Sequence, residues 1–120
     1  VEDEAPVRAF ASRALRLRGY SVETADSAEE AMAYLTEQTN PVDLIVSDVV
    51  MPGMDGPAFA AEARRLRPGL PVVFVSGYAE HGFRKNMQEE GVRFLAKPFS
   101  LAELTAVVKD ALDERALARG

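Results

Sequence analysis

Residues 44–48 read LIVSD, an apolar run that ends in a serine and an aspartate. Uninterrupted apolar strands are typical of a parallel sheet that is covered by helices on both faces. Upstream of this run, residues 5–18 and 28–37 have the apolar spacing of amphipathic helices, and residues 21–25 have the pattern of a short strand. The run therefore predicts an inner strand of an α/β domain, with Asp48 at its carboxyl end.

The alternation of strands and helices continues downstream of Asp48. The turn-rich motif MPGMDG at residues 51–56 is followed by Pro57, which suits the first turn of a third helix. Further elements are predicted as strands at residues 72–75 and 93–96, a helix at 81–90, and a last helix that opens with the capping box SLAE at 100–103 and extends to about residue 118. This order predicts βαβ units and a parallel sheet in a single domain over residues 1–120.

Composition and charge exclude several classes of function. The chain has 120 residues, 48% of them hydrophobic, and contains no cysteine, which excludes disulfide scaffolds and thiolate zinc sites. The net charge is −5 and no basic arm is present, so nucleic-acid binding is not expected. Neither a signal peptide nor a bilayer-spanning apolar run occurs. We therefore expect a cytoplasmic domain without direct membrane contact, although a longer parent chain could be membrane-anchored.

Five polar side chains are predicted to meet at one edge of the sheet. Asp48 and Ser76 end two strands, Lys97 follows a third, and Glu2 and Asp3 precede the first helix. In open α/β sheets, ligands bind beyond the carboxyl ends of the strands. Crowded carboxylates favour a hard cation such as Mg²⁺, and a carboxylate can act as the nucleophile in phosphoryl transfer. The pattern predicts Mg²⁺-dependent phosphoryl chemistry, with the lysine and the serine binding phosphate oxygens.

The motifs resemble those of receiver domains in bacterial response regulators and hybrid histidine kinases. They are ED at residues 2–3, the aspartate after LIV at 44–46, MPGMDG at 51–56, SG at 76–77 and KPF at 97–99. The resemblance covers essentially the whole chain. It implies a flavodoxin-like, doubly wound parallel sheet of five strands in the order 2-1-3-4-5, with five helices. The family's first strand precedes the acidic pair and only Val1 remains of it here, so we expect a trimmed piece of a longer chain.

The resemblance also implies roles for the acidic residues. Asp48 would accept a phosphoryl group from a histidine kinase or a histidine phosphotransfer protein. Asp3, Asp48 and the backbone carbonyl of Val50 would hold Mg²⁺ directly. Glu2, which stands where the family usually has aspartate, would act on the metal through water.

The same resemblance implies a switch on the other side of the acceptor. Lys97 would contact the phosphoryl group, while Ser76 and Phe94 would form the switch pair of a hydroxyl and an aromatic ring.

Val50 and Tyr78 would lie near the path of a hydrolytic water, and neither side chain is suited to orient that water. The phosphorylated state is therefore expected to be long-lived. The lone histidine, His81, is expected at the surface.

Other functions remain as alternatives. A haloacid-dehalogenase-like phosphatase needs a second aspartate at the position of Val50, and a pseudo-receiver would lack part of the acidic pair, the acceptor or the lysine. A flavodoxin-like cofactor domain needs a phosphate-binding loop, which is absent from the sequence. Residues 76–78 and 95–100 resemble carboxyl-terminal receivers of hybrid histidine kinases, and a stand-alone regulator is the alternative. Such a domain catalyses its own phosphorylation without turning over a separate substrate.

Overall fold

The computed structural model describes residues 1–77 and 91–119. Within these residues the chain forms four helices and three strands, which are α1 (Ala5–Leu17), α2 (Ala28–Thr36), β1 (Ile45–Asp48), α3 (Gly56–Leu66), β2 (Val72–Ser76), β3 (Val92–Ala96) and α4 (Leu101–Arg119). The predicted helix at 81–90, with His81, and the position of Tyr78 lie outside the described residues. Every other predicted helix is present, with ends that agree closely with the sequence expectation.

The three strands form a parallel sheet in the order β1-β2-β3. Its inner strand, β2, is buried along its whole length, as its uninterrupted apolar sequence predicts. Val72 and Phe74 face a core shared with α2 and α3, whereas Val73 faces a second core shared with α1 and α4. Helices therefore cover both faces of the sheet, and the predicted doubly wound α/β class is confirmed.

Local sequence signals account for the helix starts. Ser27 and Asp55 accept hydrogen bonds from the backbone N–H groups of Glu30 and Ala58, at 3.1 and 2.9 Å, and so cap α2 and α3. At α4, the Ser100 hydroxyl and the Glu103 carboxylate each accept the other residue's backbone N–H, which completes the predicted capping box. Asp55 thus caps α3 at the end of the predicted turn-rich motif.

The predicted strand at residues 21–25 is wrong, because this segment has no regular secondary structure. Val1 and Glu2 lie between it and β1: the N–H of Glu2 donates to the carbonyl of Ala25, and the N–H of Asp48 donates to the carbonyl of Val1, both at 3.0 Å. This arrangement agrees with the order 2-1-3-4-5. A groove of about 940 Å³ is lined by residues of this segment and of β1.

Candidate functional site

Three strand ends bring the central polar residues to one edge of the sheet. Asp48 is the last residue of β1 and lies beside Val75 of β2, so that Ser76 is one position further along. Ser76 in turn lies beside Ala96 of β3, and the N–H of the next residue, Lys97, donates to the carbonyl of Ser76 at 2.8 Å. The register therefore places the aspartate, the serine and the lysine together, as the sequence predicts.

The acidic pair joins this edge from the segment before α1. One carboxylate oxygen from each of Glu2, Asp3 and Asp48 can be chosen so that all three lie within 4.8 Å of one another. Glu2 and Asp48 are buried, at 7% and 6% relative exposure, whereas Asp3 is exposed. The guanidinium of Arg8 in α1 donates to the backbone carbonyl of Glu2 at 2.8 Å, which ties the pair to the helix. The predicted carboxylate cluster is therefore formed.

Lys97 forms ion pairs with two of these carboxylates. Its Nζ lies 2.8 Å from Oε1 of Glu2 and 3.1 Å from Oδ2 of Asp48. The other oxygen of Asp48, Oδ1, accepts the backbone N–H of Val49 at 3.0 Å. The Asp48 carboxylate is thus held by a main-chain N–H group on one side and by an ammonium group on the other, and these two contacts fix its orientation.

Burial and pairing shift the pKa values of two side chains in this cluster. Burial, together with the neighbouring Asp48 carboxylate, raises the pKa of Glu2 despite the opposing effect of Lys97. Burial alone would lower the pKa of Lys97, but hydrogen bonds and attraction to Glu2 and Asp48 outweigh it and raise that pKa. Lys97 forms ion pairs with Glu2 and Asp48, and an added cation would further reduce the repulsion among the three carboxylates.

The donor set fits a divalent cation with a preference for oxygen. Oε2 of Glu2 is buried and has no hydrogen-bond partner, which is an uncommon and unfavourable state for a carboxylate oxygen. Mg²⁺ is typically bound by one or two carboxylates, together with water and phosphate oxygens. Glu2, Asp3 and Asp48 supply carboxylates of this kind, so the cluster fits a Mg²⁺ ion.

The loop that follows Asp48 folds back and packs closely against the backbone of Asp48 and Val49. The N–H of Gly56 donates to the carbonyl of Val49 at 2.8 Å, and a Cβ at Gly56 would lie 2.2 Å from the carbonyl oxygen of Asp48. Oε1 of Glu29 in α2 accepts the N–H of Met54 at 3.3 Å, which supports the same loop. The sequence pattern indicates neither contact, although Gly56 belongs to the motif MPGMDG.

The remaining predicted site residues are positioned as follows. Ser76 is buried at the end of β2. Phe94 of β3 packs against Phe74 of β2, with ring centroids 5.6 Å apart. Val50 is 55% exposed beside the acceptor. These positions are compatible with the switch and metal-binding roles that the resemblance implies, and the roles themselves stay predictions.

A parallel α/β domain with buried acidic residues and a lysine at the carboxyl edge of its sheet has the architecture of the receiver domains of two-component signalling. The sequence matches the response regulator receiver domain family over residues 1–109. The chain belongs to this family. No helix within residues 1–77 and 91–119 is long and apolar enough to cross a bilayer.

Several relatives show the contexts in which such domains occur. The chain is 47% identical to the sensor kinase CckA of Brucella abortus (strain 2308) over 96% of its own length, which is 12% of that kinase. It is 33% identical to the response regulator receiver protein CpdR of the same strain, with 92% of each protein covered. A crystal structure of the receiver domain from the hybrid histidine kinase CckA superposes with a TM-score of 0.78 at 41% identity, covering 92% of this chain and 94% of that one. The chain spans about a quarter of the transcriptional regulators that also match it.

Proposed function

We propose that this domain accepts a phosphoryl group from a phosphohistidine onto Asp48, in a reaction that depends on Mg²⁺. The observation that carries the proposal is the buried Asp48 carboxylate, which is oriented by Val49 N–H and by Lys97 within a carboxylate cluster. Phosphoryl transfer depends mainly on positioning and on charge neutralisation. The site offers both.

The transfer requires one bond to form and one to break. A carboxylate oxygen of Asp48 attacks the phosphorus, the P–N bond to the donor imidazole breaks, and its electron pair stays on the nitrogen, which takes up a proton from solvent. The product is an acyl phosphate on Asp48. Lys97 neutralises charge on the phosphoryl oxygens. Bound Mg²⁺ would be held by Asp3, Asp48 and the backbone carbonyl of Val50, with Glu2 acting through water, and would supply further neutralisation of those oxygens.

Two parent proteins are consistent with this role. Similarity to the sensor kinase CckA favours a receiver within a hybrid histidine kinase, with a histidine kinase or phosphotransfer protein as its partner. Similarity over nearly the full length of CpdR favours a single-domain regulator instead. The higher identity to CckA leads us to propose the hybrid-kinase context. A phosphatase of the haloacid-dehalogenase type is disfavoured, because Val50 has no group that could transfer a proton.

Asp48→Asn tests the proposal, because the amide keeps the shape of the side chain but is no nucleophile. The protein is incubated with Mg²⁺ and acetyl phosphate, or with a phosphorylated histidine kinase, and the mass of the adduct is measured. We expect one phosphoryl adduct on the wild type and on the exposed control Asp43→Asn, and none on Asp48→Asn or in EDTA. An adduct on Asp48→Asn would assign the acceptor to another residue, and transfer in EDTA would remove the metal from the reaction.

A further inference from the structure

The loop between β1 and α3 is held at both ends. The N–H of Gly56 donates to the carbonyl of Val49 at 2.8 Å, so residues 50–55 form a closed loop. Near its start, the side chain of Met51 is buried in the apolar core that α2 and α3 share. A contact from elsewhere in the chain reaches the middle of this loop.

Glu29, in the first turn of α2, makes this contact in two ways. Its Oε1 accepts the N–H of Met54 at 3.3 Å, although the two residues are 25 positions apart. The same oxygen lies 2.8 Å from the place where a Cβ would stand at Gly53, so the carboxylate packs directly against the glycine. Gly53 has a φ of +79°, which glycine adopts without strain. The turn at Gly53 therefore leaves room for the Glu29 carboxylate.

The helix that carries Glu29 is fixed in place. Ala28, the preceding residue, is fully buried and belongs to the same apolar core as Phe59 of α3. The side chain of Glu29 is itself exposed, so solvent competes for its hydrogen bond and the net contribution is modest. A modest contribution can still select one arrangement of a loop whose two ends are already held.

We propose that Glu29 is a positioning residue for the loop at residues 50–55: it holds the middle of the loop and thereby restricts the backbone carbonyl of Val50. The inference rests on the function proposed above, in which that carbonyl binds Mg²⁺. Within the part of the chain that the structure describes, the carboxylate cluster consists of Glu2, Asp3 and Asp48. Glu29 therefore acts through the loop and not as a ligand of the metal.

A second effect of Glu29 has to be separated from this one, because acidic residues in the first turn of a helix stabilise that helix. Glu30 lies in the same turn of α2 and is the matched control. Glu29→Ala removes the carboxylate but favours the helix, so the variant should fold. Glu29→Gln loses the charge and keeps an oxygen that can accept the N–H of Met54. If the hydrogen bond matters, the glutamine variant behaves like the wild type, whereas an effect of charge alone is equal in both Glu29 variants.

The first measurement needs neither metal nor phosphate. Nitrogen NMR relaxation in EDTA reports the fast motion of the backbone N–H groups of Gly53 and Met54. We expect both groups to be as rigid as those of α3 in the wild type, in Glu29→Gln and in Glu30→Ala. In Glu29→Ala we expect the heteronuclear NOE of both groups to fall below the helix value. Equal rigidity in Glu29→Ala and the wild type would overturn the proposal.

The second measurement titrates each protein with MgCl₂ alone and follows the NMR signal of the Val49 amide, which donates to the Asp48 carboxylate. We expect Mg²⁺ to bind Glu29→Ala about fivefold more weakly than the wild type, and to bind Glu29→Gln and Glu30→Ala within about twofold of it. Equal losses in Glu29→Gln and Glu29→Ala would mean that only the charge acts, which overturns the proposal. If the wild type binds no Mg²⁺, the metal is removed from the function proposed above, while the relaxation measurement still decides whether Glu29 holds the loop.

Discussion

At the scale of single residues, the backbone around Asp48 depends on the absence of a side chain at Gly56. Gly56 begins α3 directly against the end of β1, and a Cβ there would lie 2.2 Å from the carbonyl oxygen of Asp48 and 2.9 Å from Cα of Val49. Both contacts are to backbone, which cannot rotate away as a side chain can. Because Gly56 has no side chain, the loop can pack directly against the backbone of Asp48.

Gly56→Ala should therefore impair the site although alanine is the better helix former. We expect the free energy of unfolding to fall by about 2 kcal/mol, as in other overpacked sites, and phosphorylation of Asp48 to slow because its backbone must shift. Urea unfolding and the rate of adduct formation measure the two effects.

Asp55→Ala is the matched control, because it removes the cap of α3 without adding an atom near Asp48. It should cost about 1 kcal/mol of stability and leave phosphorylation near the wild-type rate. If Gly56→Ala phosphorylates at the wild-type rate, the close approach has no role in positioning the acceptor.

At the scale of secondary structure, the sequence predicts what depends on neighbours along the chain. The capping box at Ser100 and Glu103 forms as predicted, because it needs only residues three positions apart. The strand at residues 21–25 was predicted wrongly, since strand pairing depends on a partner from elsewhere in the chain. The positions of the strand ends were enough to predict which polar residues form the site. The ion pair between Glu2 and Lys97 could not be predicted, because it joins side chains that are distant along the chain.

A second long-range contact that the pattern does not indicate joins α2 to α3. Arg67, which follows α3, donates through Nη1 to the carbonyl of Asn40 at 2.8 Å. Its Nη2 donates to the carbonyls of Leu35 and Glu37 at 3.1 and 3.2 Å. These carbonyls lie at and beyond the carboxyl end of α2, where helices leave acceptors unpaired and favour positive charge.

Arg67→Lys should lower the free energy of unfolding by about 1–2 kcal/mol, because an ammonium group lacks the planar fork that reaches three carbonyls at once. Arg65→Lys is the control: Arg65 is exposed and pairs only locally with Glu62, so its replacement should change stability by less than about 0.5 kcal/mol. Denaturant unfolding of both variants provides the comparison. Equal effects would show that the three carbonyl contacts add no stability.

At the scale of the whole molecule, the two apolar cores cover the faces of the sheet, and the polar site residues lie at one of its edges. Within residues 1–77 and 91–119, helices cover both faces of the sheet, and Asp48, Ser76 and Lys97 lie at or just beyond the carboxyl ends of its three strands. Val50, two residues after Asp48, has 55% of its surface exposed, so its side chain is in contact with solvent.

We expect slow loss of phosphate from this domain, because an in-line water must be oriented to attack the phosphorus and Val50 offers no hydrogen bond to orient it. Tyr78, the other residue predicted near this path, lies outside the described residues, so the structural support comes from Val50.

Val50→Asn adds a side-chain amide two residues after Asp48 and should speed dephosphorylation by about tenfold. Leu17→Asn, an equally polar change at an exposed apolar residue of α1, should leave the rate unchanged. Phosphate release is followed with Mg²⁺ and without a partner protein. Loss within seconds in the wild type, or equal rates in Val50→Asn and the wild type, would show that access at this position does not set the lifetime of the phosphorylated state.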